Sequence, residues 1–263
     1  MILPSQLLTG AFAVMLSLAP TPEVVWELGN GQVQLENPFH FQDMTLRDPR
    51  FLGSGGGGAV FSFSRQSEND VVVKVSWSRS TESVRNECAI LQIMEKQQVQ
   101  GVERCFGAME YPKDPRRAII VMEPLMEEST SSITDLKLEL QTLAVDRLVR
   151  TMLEMLAANV VTTDVQPLIS QRTGEVMLID MTEARAVKEP FSFIDLALAG
   201  SFCTEIMSMV PDSLLAHASE TIVQELKTIE ASGIQFPREF YDILHRQTMF
   251  SQGALEYLEA KLA

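Results

Sequence analysis

The sequence predicts an α+β protein of two lobes, a small β-rich lobe followed by a reduced helical one. Two observations carry this. β-type runs with period-two alternation concentrate between Phe51 and Met122, whereas helical-period segments dominate the remainder. Between them, Glu123-Pro124 closes the last strand, because proline cannot donate to a ladder. Such a division gives a cleft between the lobes, where a ligand would bind.

The elements follow in order. Leu7 to Ala19 is a thirteen-residue apolar run bounded by Pro4, Pro20 and Pro22. A membrane span needs about 20 residues, and a secretory signal would carry a basic start, whereas the first Lys or Arg is Arg47. A signal, an anchor and a docking helix all stay open for it, so residues 1–46 are set apart as an N-terminal extension. Residues 20–46 read as an irregular lead-in. The β-rich lobe occupies 47–123. Ala59 to Ser64 and Val71 to Trp77 form strands around a polar turn at Gln66 to Asp70. A helix begins at Ser80 with cap-like Thr81-Glu82-Ser83, and buries Val84, Ala89, Ile90, Ile93 and Met94. Strands at Val102 to Met109 and Arg117 to Met122 complete the lobe. The helical lobe, 124–263, carries helices at Leu143 to Ala158, Ser192 to Met209, and about 212–230, 237–250 and 253–262, with a short strand at Glu175 to Ile179.

Composition narrows the function. The 263 residues are 46% hydrophobic and 21% charged, as in a folded globular chain, with net charge −14. That charge disfavours nucleic acid and anionic lipid as partners, leaving residues 7–19 as the only candidate membrane contact. The Arg116-Arg117 pair reads as a solvated turn. Cys88, Cys105 and Cys203 lack Cys-x-x-Cys spacing and read as reduced core thiols, and His40, His217 and His245 as structural. No compartment is fixed, though a soluble cytoplasmic or organellar one is favoured.

The most informative segment is Leu52-Gly-Ser-Gly-Gly-Gly-Gly-Ala-Val60, which spaces Gly53, Gly55, Gly58 and Val60 as G-x-G-x-x-G-x-V. Fourteen residues later Lys74 stands in Val-Val-Val-Lys-Val. A hairpin of this kind can fold over a nucleotide's phosphates while the strand delivers an ammonium to them. Glycine permits close backbone approach, and several of these positions are expected to need positive φ.

Further segments in the same order make the chain resemble the protein-kinase-like superfamily from about residue 48 to about 210. The resemblance implies that Lys74 holds the α- and β-phosphates of ATP and pairs with Glu87, which the expected helix face leaves unburied. Ile-Ile-Val-Met-Glu-Pro-Leu looks like the hinge, with Met122 as gatekeeper and backbone groups of Glu123 and Leu125 on the adenine edge. Val160 to Pro167 looks like the catalytic loop, Asp164 accepting the hydroxyl proton. Val176 to Thr182 looks like the metal-binding segment, Asp180 chelating Mg. Asp195 resembles the residue tying the catalytic loop to a central helix.

Departures limit the implied activity. Thr162-Thr163 replace His-Arg, Gln166 replaces a lysine, and Ile169 stands where an asparagine would ligate a second Mg, with Ser170 or Gln171 as weak substitutes. Met181-Thr182 replace Phe-Gly, and only fourteen residues separate Asp180 from Asp195, too few for an ordinary activation segment. Phosphoryl transfer from Mg-ATP to a hydroxyl of the Ser/Thr type is the leading expectation. A pseudokinase scaffold and a small-molecule phosphotransferase of the aminoglycoside type are the alternatives.

Overall fold

Thirteen strands and six α-helices are present in a computed structural model that describes residues 22–65, 69–77, 79–124, 126, 128–234, 236–246 and 251–263. Leu7 to Ala19, the first part of the Gln66 to Asp70 turn, and Leu125 lie outside the described residues. The chain is α+β. It opens with β1 (Glu23–Leu28), β2 (Gly31–Glu36), β3 (Phe39–Phe41), β4 (Met44–Ser54), β5 (Gly58–Arg65) and β6 (Val71–Ser76). Helix α1 (Thr81–Lys96), β7 (Cys105–Glu110) and β8 (Ala118–Met122) follow.

Residues 22–41 are therefore strands and not an irregular lead-in. β1 and β2 pair as a hairpin with Leu28 opposite Gly31, around the two-residue turn Gly29-Asn30. That dipeptide is a hairpin signal when short apolar runs flank it. β3 joins β4, giving one antiparallel sheet in the order β3-β4-β5-β6-β8-β7.

The sheet is covered on both faces, which explains the unbroken valines of β6. Side chains alternate along a strand, and here Val71, Val73 and Val75 belong to one buried cluster with Phe61, Phe63, Ile119 and the β2 residues Val33 and Leu35. Val72 belongs to the other cluster, with Val84, Leu91 and Met94 of α1 and with Ile120 and Met122. Lys74 shares the parity of Val72, so the period of two turns it towards the α1 side. Register does the rest: Val60 lies opposite Lys74, and Lys74 opposite Ile120.

Helix α1 corrects two expectations. Its buried stripe is Val84, Glu87, Cys88, Leu91 and Met94, at spacings of three and four, so Glu87 points inward and Ala89 outward. Cys88 and Cys105 form a disulfide between α1 and β7, where reduced thiols were expected; helix–strand packing supplies the proximity that sequence spacing does not show. Cys203 remains a free buried thiol, as expected. Arg117, expected in a solvated turn, is buried and stacked between Trp77 and Tyr111.

Beyond β8 come β9 (Ser129–Thr130), α2 (Leu138–Ala157), β10 (Val160–Val161), β11 (Gln166–Ser170), β12 (Val176–Ile179), β13 (Arg185–Ala186), α3 (Phe193–Ser208), α4 (Leu215–Ala231), α5 (Arg238–His245) and α6 (Gln252–Leu262). Helix α2 is the spine of this part, burying Leu148, Val149, Met152, Leu153 and Leu156 among others. The loop after α1 stitches the parts together. Glu103 N–H donates to Leu178 O at 3.1 Å, and Leu178 N–H to Gly101 O at 2.7 Å. Gly101 sits at φ +70, and an added Cβ would meet the Thr151 hydroxyl at 2.3 Å, so only glycine fits there. Among the described residues no single helix is long and apolar enough to cross a membrane.

Candidate functional site

The glycine loop joins β4 to β5. Gly55 N–H donates to Gly58 O at 3.0 Å, and the tip is tied down by Trp77 Nε1–H donating to Gly55 O at 2.8 Å. Asn30 Nδ2 of the β1–β2 turn reaches the same carbonyl at 3.3 Å. None of Gly53, Gly55 and Gly58 has positive φ, contrary to expectation. Their value is spatial. A Cβ on Gly53 or Gly55 would meet nothing within 4 Å, so the loop presents bare backbone to open space. A Cβ on Gly58 would meet Val75 O at 2.4 Å, so that glycine is required for the strands to pair.

Lys74 reaches across 106 residues to place Nζ 2.7 Å from Asp180 Oδ1. The strand lysine and the expected metal aspartate therefore converge. Asp180 follows β12 directly and adopts the left-handed conformation at φ 57 and ψ 58, uncommon for a residue other than glycine. Such backbone cost concentrates at sites where surrounding contacts enforce it. Here the enforcing contacts are Lys74 and Thr182 on the carboxylate and Glu103, whose Oε1 accepts Asp180 N–H at 2.8 Å. Burial pushes the Asp180 carboxyl up, but Lys74, Thr182 and Arg79 outweigh it and hold the group below the usual carboxylate range.

Glu87 does not hold Lys74 in this structure. Its Oε2 accepts Arg79 Nη1 at 2.5 Å, and Arg79 also donates to Thr182 Oγ1 at 2.7 Å and to Ser83 Oγ at 3.1 Å. Glu87 Oε1 is buried with no hydrogen-bond partner. Arg79 lies eight residues upstream of Glu87, in the short connection before α1, where Ser80 caps the helix by accepting Ser83 N–H. Glu103, 2% exposed, is the second unforeseen acid. Burial, then the charge of Glu87, push its carboxyl up to about 8, so it is neutral at physiological pH. Arg79 and Glu103 belong to no motif, and Thr182 falls in the Val176 to Thr182 segment with no role assigned to it. Thr182 alone carried a signal, as a hydroxyl two residues after Asp180.

Asp164, the aspartate of the expected catalytic loop, is placed by the β11–β12 hairpin. Gln166 pairs with Ile179, so Asp164 and Asp180 emerge at the same end of that hairpin. Gln166 Nε2 donates to Asp164 Oδ2 at 2.8 Å, and the Thr162 hydroxyl accepts Asp164 N–H at 3.3 Å. The Asp195 expectation fails. That residue forms a capping box with Ser192 at the start of α3, and Glu205 instead accepts Val165 N–H, at 3.4 Å.

At the expected hinge, Met122 is buried and Glu123 N–H is committed to Arg104 O at 3.0 Å. Only the Glu123 carbonyl is left for a base, and Leu125 lies outside the described residues. A cavity of about 780 Å³ lies behind this segment, lined by Glu95, Arg104, Glu123, Arg147, Arg150 and Thr151 among others. It contains neither the glycine loop nor Lys74, Asp164 or Asp180, so it is a separate feature.

Among the described residues no group of three or more His, Cys, Asp or Glu side chains is arranged to hold a metal unaided. Magnesium asks less, one or two carboxylates with phosphate oxygens and water, and the partly exposed Asp180 fits that demand. For a second ion, positions 169 and 170 offer no free ligand. Ile169 is fully buried opposite Val176, and Ser170 Oγ accepts Arg172 and Thr173 N–H in the turn at the far end of β11. The Ser170 rescue is thereby removed. No protein-family model matches the chain, and no curated protein matches it.

Proposed function

We propose that this protein is a divergent two-lobed, protein-kinase-like phosphotransferase that takes ATP with one magnesium ion and a hydroxyl acceptor of the Ser/Thr type. The observation that supports this most is the 2.7 Å contact between Lys74 Nζ and Asp180 Oδ1, with Val60, the last residue of the glycine motif, paired opposite Lys74. A cation and a carboxylate drawn from chain segments this far apart have a clear use at a phosphate site, where catalysis is mostly positioning and electrostatics.

In this reading the backbone of Gly53 and of Gly55 to Gly57 covers the phosphates and Lys74 contacts their oxygens. Asp180 holds magnesium, which when bound neutralises phosphate charge. Asp164 orients the acceptor hydroxyl and takes its proton as the acceptor oxygen bonds to phosphorus and ADP leaves. The Glu123 carbonyl faces the adenine edge.

One observation favours a second reading, a pseudokinase that keeps nucleotide for its fold and acts by binding a partner. The Gln166 amide occupies the Asp164 carboxylate, and no side-chain oxygen stands at position 169. The test is transfer from labelled ATP to the protein itself or a generic acceptor. The wild type labels, and Asp164→Asn lowers the rate by about 100-fold or more. Equal labelling by both proteins would defeat the catalytic assignment.

A further inference from the structure

Resting on that nucleotide reading, we infer that Arg79 is a positioning residue that decides which acid Lys74 holds. Three contacts lead there. Arg79 neutralises Glu87 through Oε2, while the other Glu87 oxygen is buried and without a partner. Lys74, which the kinase-like resemblance pairs with Glu87, is on Asp180 instead. Thr182 joins the two pairs, touching both Arg79 and Asp180.

A buried carboxylate that loses its cation carries a large penalty and draws in the nearest replacement. Glu87 escapes that penalty because Arg79 is already in place, so Lys74 stays where it masks the metal-binding carboxylate. The ligand-free site is thus held in a self-neutralised arrangement. Magnesium with nucleotide must displace the ammonium from Asp180, and the vacant Glu87 Oε1 is the acceptor that receives it. Arg79 therefore acts as a brake on loading, through Glu87, without touching the phosphates.

The account predicts a gain from removing a charge, which a merely structural arginine would not give. In the ligand-free protein with ¹³Cε-labelled lysine, the Lys74 signal, assigned with Lys74→Arg, should shift on Asp180→Asn and not on Glu87→Gln. In the Arg79→Met background the dependence should reverse, because Lys74 moves to Glu87. Mg-ATP should then bind about 10-fold tighter than to wild type, an effect of the size of contacting-pair couplings, with Mg-free ATP unchanged. Arg79→Gln, which keeps a donor for Glu87 without the charge, should reverse it likewise if the Met variant does not fold. Arg79→Lys should behave as wild type.

A Lys74 signal that answers to Asp180 with or without Arg79 overturns the inference. Reversal of the signal in a protein that binds no Mg-ATP would leave Arg79 as the residue that positions Lys74 and bring down the nucleotide reading, and the brake on loading with it.

Discussion

The glycine-loop side of the site and the catalytic-loop side differ in how they depart from the pattern they resemble. On the first, Gly53, Gly55, Gly58, Val60 and Lys74 are all present, and the loop tip is braced by Trp77 and Asn30. On the second, Asp164 keeps its place but its neighbours have changed. Gln166 bonds the carboxylate, Thr162 braces the backbone, Glu205 replaces Asp195 as the tie to α3, and Ile169 offers no oxygen. Under the proposed reading the difference separates two roles: the glycines and lysine expected to hold phosphates are all present, and the residues expected to carry transfer are reduced to one carboxylate and one metal position.

Ways to break or sharpen that contrast begin with the disulfide, which anchors the helix bearing Glu87 to the sheet. Cys88 and Cys105 close a loop at a separation of 17, so Cys105→Ser should cost about 3 kcal/mol in urea unfolding. An unchanged midpoint would mean that packing of α1 on β7 and β8 holds the helix without the covalent tie. Next, Gly58→Ala forces a Cβ against Val75 O and should cost about 1–3 kcal/mol. Gly55→Ala, with open space around it, should leave stability within about 0.5 kcal/mol and weaken nucleotide binding alone. If both alanines destabilise equally, the loop is a structural turn.

The last effect concerns pH and is read as a slope. Glu103 has a folded pKa raised to about 8 from 4.5. Its contribution to stability is therefore fully present below pH 4.5 and is lost as pH rises through about 8. The slope from this one group is at most about 1.4 kcal/mol per pH unit. Glu103→Gln keeps an acceptor for Asp180 N–H but removes the titration, so its unfolding curve should be flatter between those limits. Parallel curves would show that Glu103 is solvated.

Much of the architecture was legible because it is local. β5, β6, β8 and the helices declared themselves by period, and the spacing of Gly53 to Lys74 marked the site before any contact was known. The strands of residues 22–41 were missed because they are short and broken by Pro, Gly and Asn, although Val33 and Leu35 alternate with Gln32, Gln34 and Glu36 and Gly29-Asn30 was a readable hairpin turn. The burial of Glu87 was legible in principle: Val84, Cys88, Leu91 and Met94 define a stripe that includes position 87. Arg79, Glu103 and the Cys88–Cys105 bond were not. Each depends on which elements pack together, and nothing in a local window distinguishes a buried Glu103 from a solvated one. The displaced role of Asp195 is the same lesson, since its capping box with Ser192 is as local a use as a kinase-like tie is distant.

The measurement that bears most directly on the central claim is calorimetric titration of the protein with ATP, with and without magnesium, beside Lys74→Met and Asp180→Ala. The account predicts saturable, magnesium-dependent binding by wild type and a loss of about 100-fold or more in both variants, while Asp164→Asn stays within about 3-fold. Absence of binding by a folded wild type at millimolar Mg-ATP, or binding that ignores Lys74 and Asp180, would contradict it.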